Sequence, residues 1–172
     1  QIQGFFEVPV DHLYGSTLFA PYLKSKNLSD LIIAAPDAGG SKRANAYAKY
    51  LNVDLALCYK QRKKANEIDN MTIIGDVKGK DVVIIDDMID TAGTLTKAAQ
   101  LFIDRGAKSV SACCTHAILS GPAHQRIEES VLKELVVTDT INLKVKNTKI
   151  KVLSVADLFA EVMSQHIKFK SI

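Results

Sequence analysis

The chain has 172 residues, 47% of them hydrophobic and 24% charged, with a formal net charge of +3. That length and composition predict one folded domain and exclude a disordered chain. No apolar run approaches the roughly 18 residues of a membrane span, and so small a positive excess does not point to nucleic acid.

The first residues, Gln1 to Asp11, carry Phe5 and Phe6 and read as an arm. The whole of 1–172 is taken as one unit, with 1–13 entering from a domain upstream. The chain opens on Gln1, not methionine, and shows no basic-then-apolar leader. Residues upstream are therefore expected, and a secretory signal is not.

Leu31-Ile32-Ile33-Ala34-Ala35 is the first of several short apolar runs rich in β-branched residues. Unbroken runs of this length, bounded by turn residues, fit strands buried on both faces. Pro36-Asp37-Ala38-Gly39-Gly40 follows, and Ser41 to Leu51 then reads as an Ala-rich helix. Gly39 and Gly40 are expected to permit unusual backbone angles and close ligand approach. Asp37 is a candidate Mg²⁺ ligand, directly or through water. Lys42 and Arg43 suit phosphate, and suit a solvated face at least as well.

A second strand is predicted from Val53 to Cys58 and a third from Met71 to Ile74. Between them, Tyr59 to Met71 is basic and weakly apolar, which predicts exposure and mobility. One reading is a solvated hairpin; another is a lid. Lys60 and Arg62, at alternate positions of an extended segment, share a direction and can share one polyphosphate target. A nucleic-acid reading is poor, because the cluster is short and lacks interleaved aromatics.

Val82-Val83-Ile84-Ile85 is predicted to end abruptly at Asp86-Asp87. Asp90-Thr91-Ala92-Gly93-Thr94 then leads into a helix over Leu95 to Arg105, stopped by Gly106. Ligands of open α/β sheets bind outside the carboxyl ends of strands, where this loop sits. Ala92 and Gly93 leave room for phosphate at backbone N–H groups, Thr91 and Thr94 add hydroxyls, and the helix start adds a positive dipole end. Phosphate alone does not explain the aspartates. A ligand that also offers hydroxyls or a bound Mg²⁺ does, and a sugar phosphate offers both. The plainer alternative makes Asp90 or Thr91 a helix cap and Asp86-Asp87 a solvated turn.

Further strands are predicted at Val110 to Cys114, Leu135 to Val137 and Ile150 to Leu153, with helices at Pro122 to Glu129 and Val155 to Gln165. Ser154 and Asp157 suit the start of the last helix, which is expected to pack one face on the core. Alternating strands and helices predict an α/β fold with a mostly parallel sheet and flanking helices. Cys113-Cys114-Thr115-His116 lacks the second ligand pair of a zinc site and reads as a buried strand. Three cysteines, two of them adjacent, fit a reducing, cytoplasmic setting.

Val83 to Asp87 with Asp90 to Thr94 resembles the phosphoribosyl-pyrophosphate signature of type I phosphoribosyltransferases and ribose-phosphate pyrophosphokinases. Pro36 to Gly40 and Tyr59 to Met71, with its Lys-x-Arg, resemble the pyrophosphokinases in particular, as do Gln1 to Phe6, Thr115-His116, Ser120 to Ala123 and Val136 to Thr138. The resemblance runs from Gln1 to about Glu161 and covers the C-terminal half of that family.

It implies a type I phosphoribosyltransferase-like fold and a ribose-phosphate diphosphokinase. Such an enzyme moves the β,γ-diphosphoryl group of Mg·ATP to O1 of ribose 5-phosphate. It implies Asp86 and Asp87 on the ribose hydroxyls and Asp90, Thr91, Ala92, Gly93 and Thr94 on the 5-phosphate. It also implies Gly39 and Gly40 beside pyrophosphate, Asp37 on Mg²⁺, and Lys60 and Arg62 as the catalytic cations. Homo-oligomers, dimers building hexamers, are implied as well. The alternatives are a phosphoribosyltransferase, for which no base-recognising hood is found, and a non-catalytic synthetase-associated subunit, against which the uninterrupted Lys60-Gln61-Arg62 argues.

Overall fold

The computed structural model describes residues 2–61, 70–145 and 147–168. After a short 3-10 turn at Ile2–Phe5, the order is α1 (Ser16–Ser25), β1 (Leu31–Ala35), α2 (Ser41–Leu51), β2 (Asp54–Gln61), β3 (Asn70–Ile74), β4 (Asp81–Ile89) and α3 (Gly93–Asp104). Then come β5 (Ser109–Ala117), α4 (Ala123–Glu129), β6 (Leu135–Thr138), β7 (Ile150–Leu153) and α5 (Ala156–Ile167).

The strands form one seven-stranded sheet in the order β3-β2-β1-β4-β5-β6-β7. Every pairing is parallel except β2 with β3, an antiparallel hairpin. The expected α/β architecture is therefore present. The chain winds outward from β1 to β3, returns to lay β4 on the other side of β1, and winds outward again to β7. The winding direction reverses between β1 and β4, and the crevice outside their carboxyl ends is the natural ligand position of such a sheet.

Side-chain alternation explains why these strands are apolar throughout. Ile33, Ala35, Val83, Ile85, Cys113 and Val136 face Phe19 and Leu23 of α1 and Ala44, Tyr47 and Ala48 of α2. Their neighbours Ile32, Ala34, Val82, Ile84, Ala112 and Cys114 face the opposite layer, with Leu95, Ala98, Ala99 and Phe102 of α3 and Ile127 of α4. Helix α3 stops as expected: Gly106 takes φ +86°, donates to Ile103 O at 2.8 Å, and Ala107 N reaches Phe102 O at 3.0 Å. That paired closure satisfies the last carbonyls of the helix. The three cysteines are free and buried.

Three details depart from expectation. Helix α1 has no counterpart in the sequence reading: Pro21 lies inside it and no side chain caps it, so neither start nor interior carries a helix marker. Strand β4 does not stop at the acids but runs on to Ile89, held by β5 through Asp86↔Cys114, Met88↔His116 and Ile89↔Ala117. Helix α5 does not pack a face on the core. None of its residues is buried, and Phe159, Met163 and Ile167 are exposed. Among the described residues no helix is long and apolar enough to cross a membrane.

The return from β3 to β4 depends on Gly75, which has φ +108° and would place a Cβ 2.9 Å from the Leu55 carbonyl oxygen. Backbone cannot yield as a side chain does. Gly75→Ala is expected to cost about 1–3 kcal/mol, a fall in Tm of roughly 3–10 °C by calorimetry. An unchanged Tm would show that the turn relaxes freely.

Candidate functional site

Two loops meet at the β1–β4 crevice. The first leaves β1 at Pro36 and opens α2. The Asp37 carboxylate accepts a hydrogen bond from Gly40 N at 3.1 Å, which closes the turn and leaves its second oxygen uncommitted by that bond. Gly39 and Gly40 do not adopt the unusual angles expected of them: neither is among the positive-φ glycines. Gly39 matters sterically instead, since a Cβ there would lie 3.2 Å from the Asp37 carboxylate.

The second loop continues β4. A cleft of about 280 Å³ is lined by Asp37 and by the whole run from Asp86 to Leu95. The structure thus brings Asp37, Asp86, Asp87 and Asp90 to Thr94 together, although some fifty residues separate Asp37 from the rest. The Asp86 side chain is a quarter exposed (25%) and that of Asp87 more than half (60%). Burial, followed by the adjacent Asp87, pushes the Asp86 carboxyl up to about 6, and Arg43 acts against both. Ionisation of Asp86 is thus complete only well above that pH. A ¹³C-carboxyl NMR titration is expected to show an Asp86 midpoint near 6; the ordinary carboxylate value near ~4 would contradict the burial argument.

Ala92 stands at the start of α3 with left-handed backbone, φ 59° and ψ 7°, and no side chain caps the helix. The capping role open to Asp90 or Thr91 is therefore not taken. The first-turn amides have no intrahelical carbonyl partners, and they sit at the positive end of the helix dipole beside two threonine hydroxyls. This is the composition of an anion site.

The loop is held from behind by residues the sequence reading gave no role. Ile118 N and Leu119 N donate to Ile89 O at 3.0 and 3.1 Å, and Ser120 N donates to Asp90 O at 3.0 Å. Ser120 Oγ also hydrogen-bonds the Asp90 carboxylate. Arg126, from α4, donates to Thr91 O at 3.0 Å. Its Nη1 would lie 3.3 Å from a Cβ on Gly93, so glycine there leaves room for the guanidinium.

Arg43 enters from the first turn of α2. Its Nη1 lies 3.3 Å from Asp86 Oδ1 and its Nη2 2.7 Å from Asp87 Oδ2. Of the two catalytic cations expected from sequence, Arg62 lies outside the described residues. Lys60 contributes backbone to β2, paired with Met71, and its side chain lies outside the described set. Among the described residues, no three His, Cys, Asp or Glu side chains are placed to hold a metal ion. Asp37 nevertheless fits Mg²⁺ in the mode that uses one or two carboxylates and completes the shell with water and substrate phosphates.

Residues 62–171 match the family described as "Phosphoribosyl synthetase-associated domain". The ribose-phosphate pyrophosphokinase of Porphyromonas gingivalis is 56% identical over 173 residues, covering 100% of this chain and 55% of that protein. That of Campylobacter jejuni is 58% identical over 163 residues, covering 95% of this chain and 53% of its own length. Among solved structures, phosphoribosylpyrophosphate synthetase from Mycobacterium smegmatis superposes with a TM-score of 0.90 at 36% identity, over 98% of this chain and 55% of that one. A purine phosphoribosyltransferase from Pyrococcus horikoshii gives a TM-score of 0.51 at 24% identity, over 78% of this chain and 80% of that one; this is a likeness of fold. The chain spans about half the length of the curated relatives it matches.

Proposed function

This chain belongs to the family described as the phosphoribosyl synthetase-associated domain, and from that premise, with its 56–58% identity to half of two ribose-phosphate pyrophosphokinases, we propose that it supplies the sugar-phosphate subsite of a ribose-phosphate diphosphokinase. The observation that carries the proposal is the single cleft in which Asp86 and Asp87 adjoin an uncapped helix start. Carboxylates there suit vicinal hydroxyls, and amides beside Thr91 and Thr94 suit a phosphate monoester. Ribose 5-phosphate carries both groups on one small frame.

In the proposed reaction the 1-hydroxyl oxygen of the sugar bonds to the β-phosphorus of ATP. The bond from that phosphorus to the α–β bridging oxygen breaks, AMP leaves, and the proton of the 1-hydroxyl is released to solvent. The nucleophile belongs to the substrate, so the protein's share is positioning and charge stabilisation. Asp86 and Asp87 hold the ring hydroxyls, and the Asp90–Thr94 loop holds the 5-phosphate, fixing where the 1-hydroxyl points. Arg126 and Ser120 keep that loop in register. Lys60 and Arg62 meet the charge that spreads over the transferring diphosphoryl group. Mg²⁺, which Asp37 would hold, neutralises polyphosphate oxygens when bound.

The same proposal places the protein in nucleotide biosynthesis in the cytoplasm, supported by its three reduced, buried cysteines. It includes homo-oligomerisation, supported by the exposed apolar side chains Phe159, Met163 and Ile167. Titration calorimetry tests the subsite: ribose 5-phosphate is expected to bind this chain and ribose to bind far more weakly. Indifference to ribose 5-phosphate would end the proposal. AMP release, measured with the remaining half of a relative supplied, tests the reaction.

A further inference from the structure

Two adjacent carboxylates in a cleft make a natural hard-oxygen site for a divalent cation. Asp86 and Asp87 are already engaged, however. One guanidinium bridges them, with Nη1 3.3 Å from Asp86 Oδ1 and Nη2 2.7 Å from Asp87 Oδ2. Its planar fork takes one oxygen from each acid and leaves the other for a different donor. It also cancels one of the two negative charges, so the pair attracts a dication less and still accepts from neutral hydroxyls.

The position of Arg43 in α2 strengthens this reading. It lies in the first turn of the helix, beside Lys42, and that turn holds no acid. A cation at this end opposes the helix dipole, so helix stability does not explain it. The acid pair across the crevice does.

We propose that Arg43 is a positioning residue that keeps divalent cations off Asp86 and Asp87 and so reserves the pair for sugar hydroxyls. Within one cleft, Asp37 is then left to the metal and the acid pair to the diol. The inference rests on the sugar-phosphate reading for its purpose, but its test does not.

The test counts bound Mn²⁺ by electron paramagnetic resonance on the 172-residue chain and on its variants. Arg43→Met is expected to bind one more ion than the parent, and adding Asp86→Asn removes that ion. Arg43→Lys, which keeps the charge, is expected to match the parent. Calorimetry is then run with ribose 5-phosphate in EDTA and in Mn²⁺. In Arg43→Met the ion is expected to weaken sugar-phosphate binding by about tenfold or more, the scale of a lost charged hydrogen bond; the parent shows no such loss.

No extra ion in Arg43→Met, or an extra ion in Arg43→Lys as well, overturns the inference while leaving sugar-phosphate binding by the parent intact. A parent that ignores ribose 5-phosphate while Arg43→Met still gains the ion overturns the functional reading and keeps the role of Arg43. A fold defect is separable, since it would alter circular dichroism and would not add an ion.

Discussion

Asp86→Ala is expected to weaken ribose 5-phosphate binding roughly 10- to 100-fold, because a hydrogen bond to a charged acceptor is worth about 1.5–3 kcal/mol. The side chain is held from two directions. Asp87 N donates to Asp86 Oδ1 at 2.9 Å, and Arg43 reaches the same oxygen at 3.3 Å. That anchoring aims the second oxygen and leaves it free to accept. Truncation removes the acceptor and leaves Arg43 with only the more exposed Asp87. Asp86→Asn keeps the size and one carbonyl acceptor, so a smaller loss is expected. Titration calorimetry reads both, with circular dichroism as the folding control. Unchanged affinity in Asp86→Ala would remove the acid pair from the sugar subsite.

Lys60→Ala acts on the other half of the chemistry. It is expected to lower turnover by about 10³- to 10⁵-fold, the scale of one positioned cation in phosphoryl transfer. Ribose 5-phosphate affinity stays within about threefold, since the proposed contact of Lys60 is with the transferring group. The assay follows AMP release from ATP and ribose 5-phosphate, with the remaining half of a relative supplied. A loss of sugar-phosphate binding equal to the loss of rate would make Lys60 a ground-state binding residue instead.

The sheet was legible because parallel strands buried on both faces must be apolar at every position. Ile32 and Ile33 face opposite layers, as do Val82 and Val83, and the sequence shows them as unbroken runs. The end of β4 was misread for the same reason. Asp86 and Asp87 break the run and look like a strand end, yet pairing with β5 carries the backbone onward to Ile89. Periodicity exposed the apolar stripe of α5 but not what it faces, and Phe159 and Met163 turned out exposed. An amphipathic pattern reports that a face exists; whatever covers it lies elsewhere in the sequence or in another chain.

The site divided along similar lines. Asp86 to Thr94 was readable because acids, hydroxyls and small residues cluster in one short run. Asp37 was readable through the glycines behind it. Ser120 and Arg126 were not assigned, and Arg43, read as facing phosphate or solvent, meets the two acids instead; each is a single polar residue whose meaning arises from a tertiary contact. Arg43 alone left a trace, as a cation at the disfavoured end of a helix.

The reversal of winding between β1 and β4 also ties recognition to thermodynamics. Asp37 and Asp86 become neighbours only after the chain has travelled out through β2 and β3 and come back. An unfolded or half-built chain therefore holds no version of the cleft, and any guest of it binds the finished state alone. By mass action such a guest raises the melting temperature in step with its concentration. In a cell, the supply of the small molecule would then help decide how much of the protein escapes proteolysis.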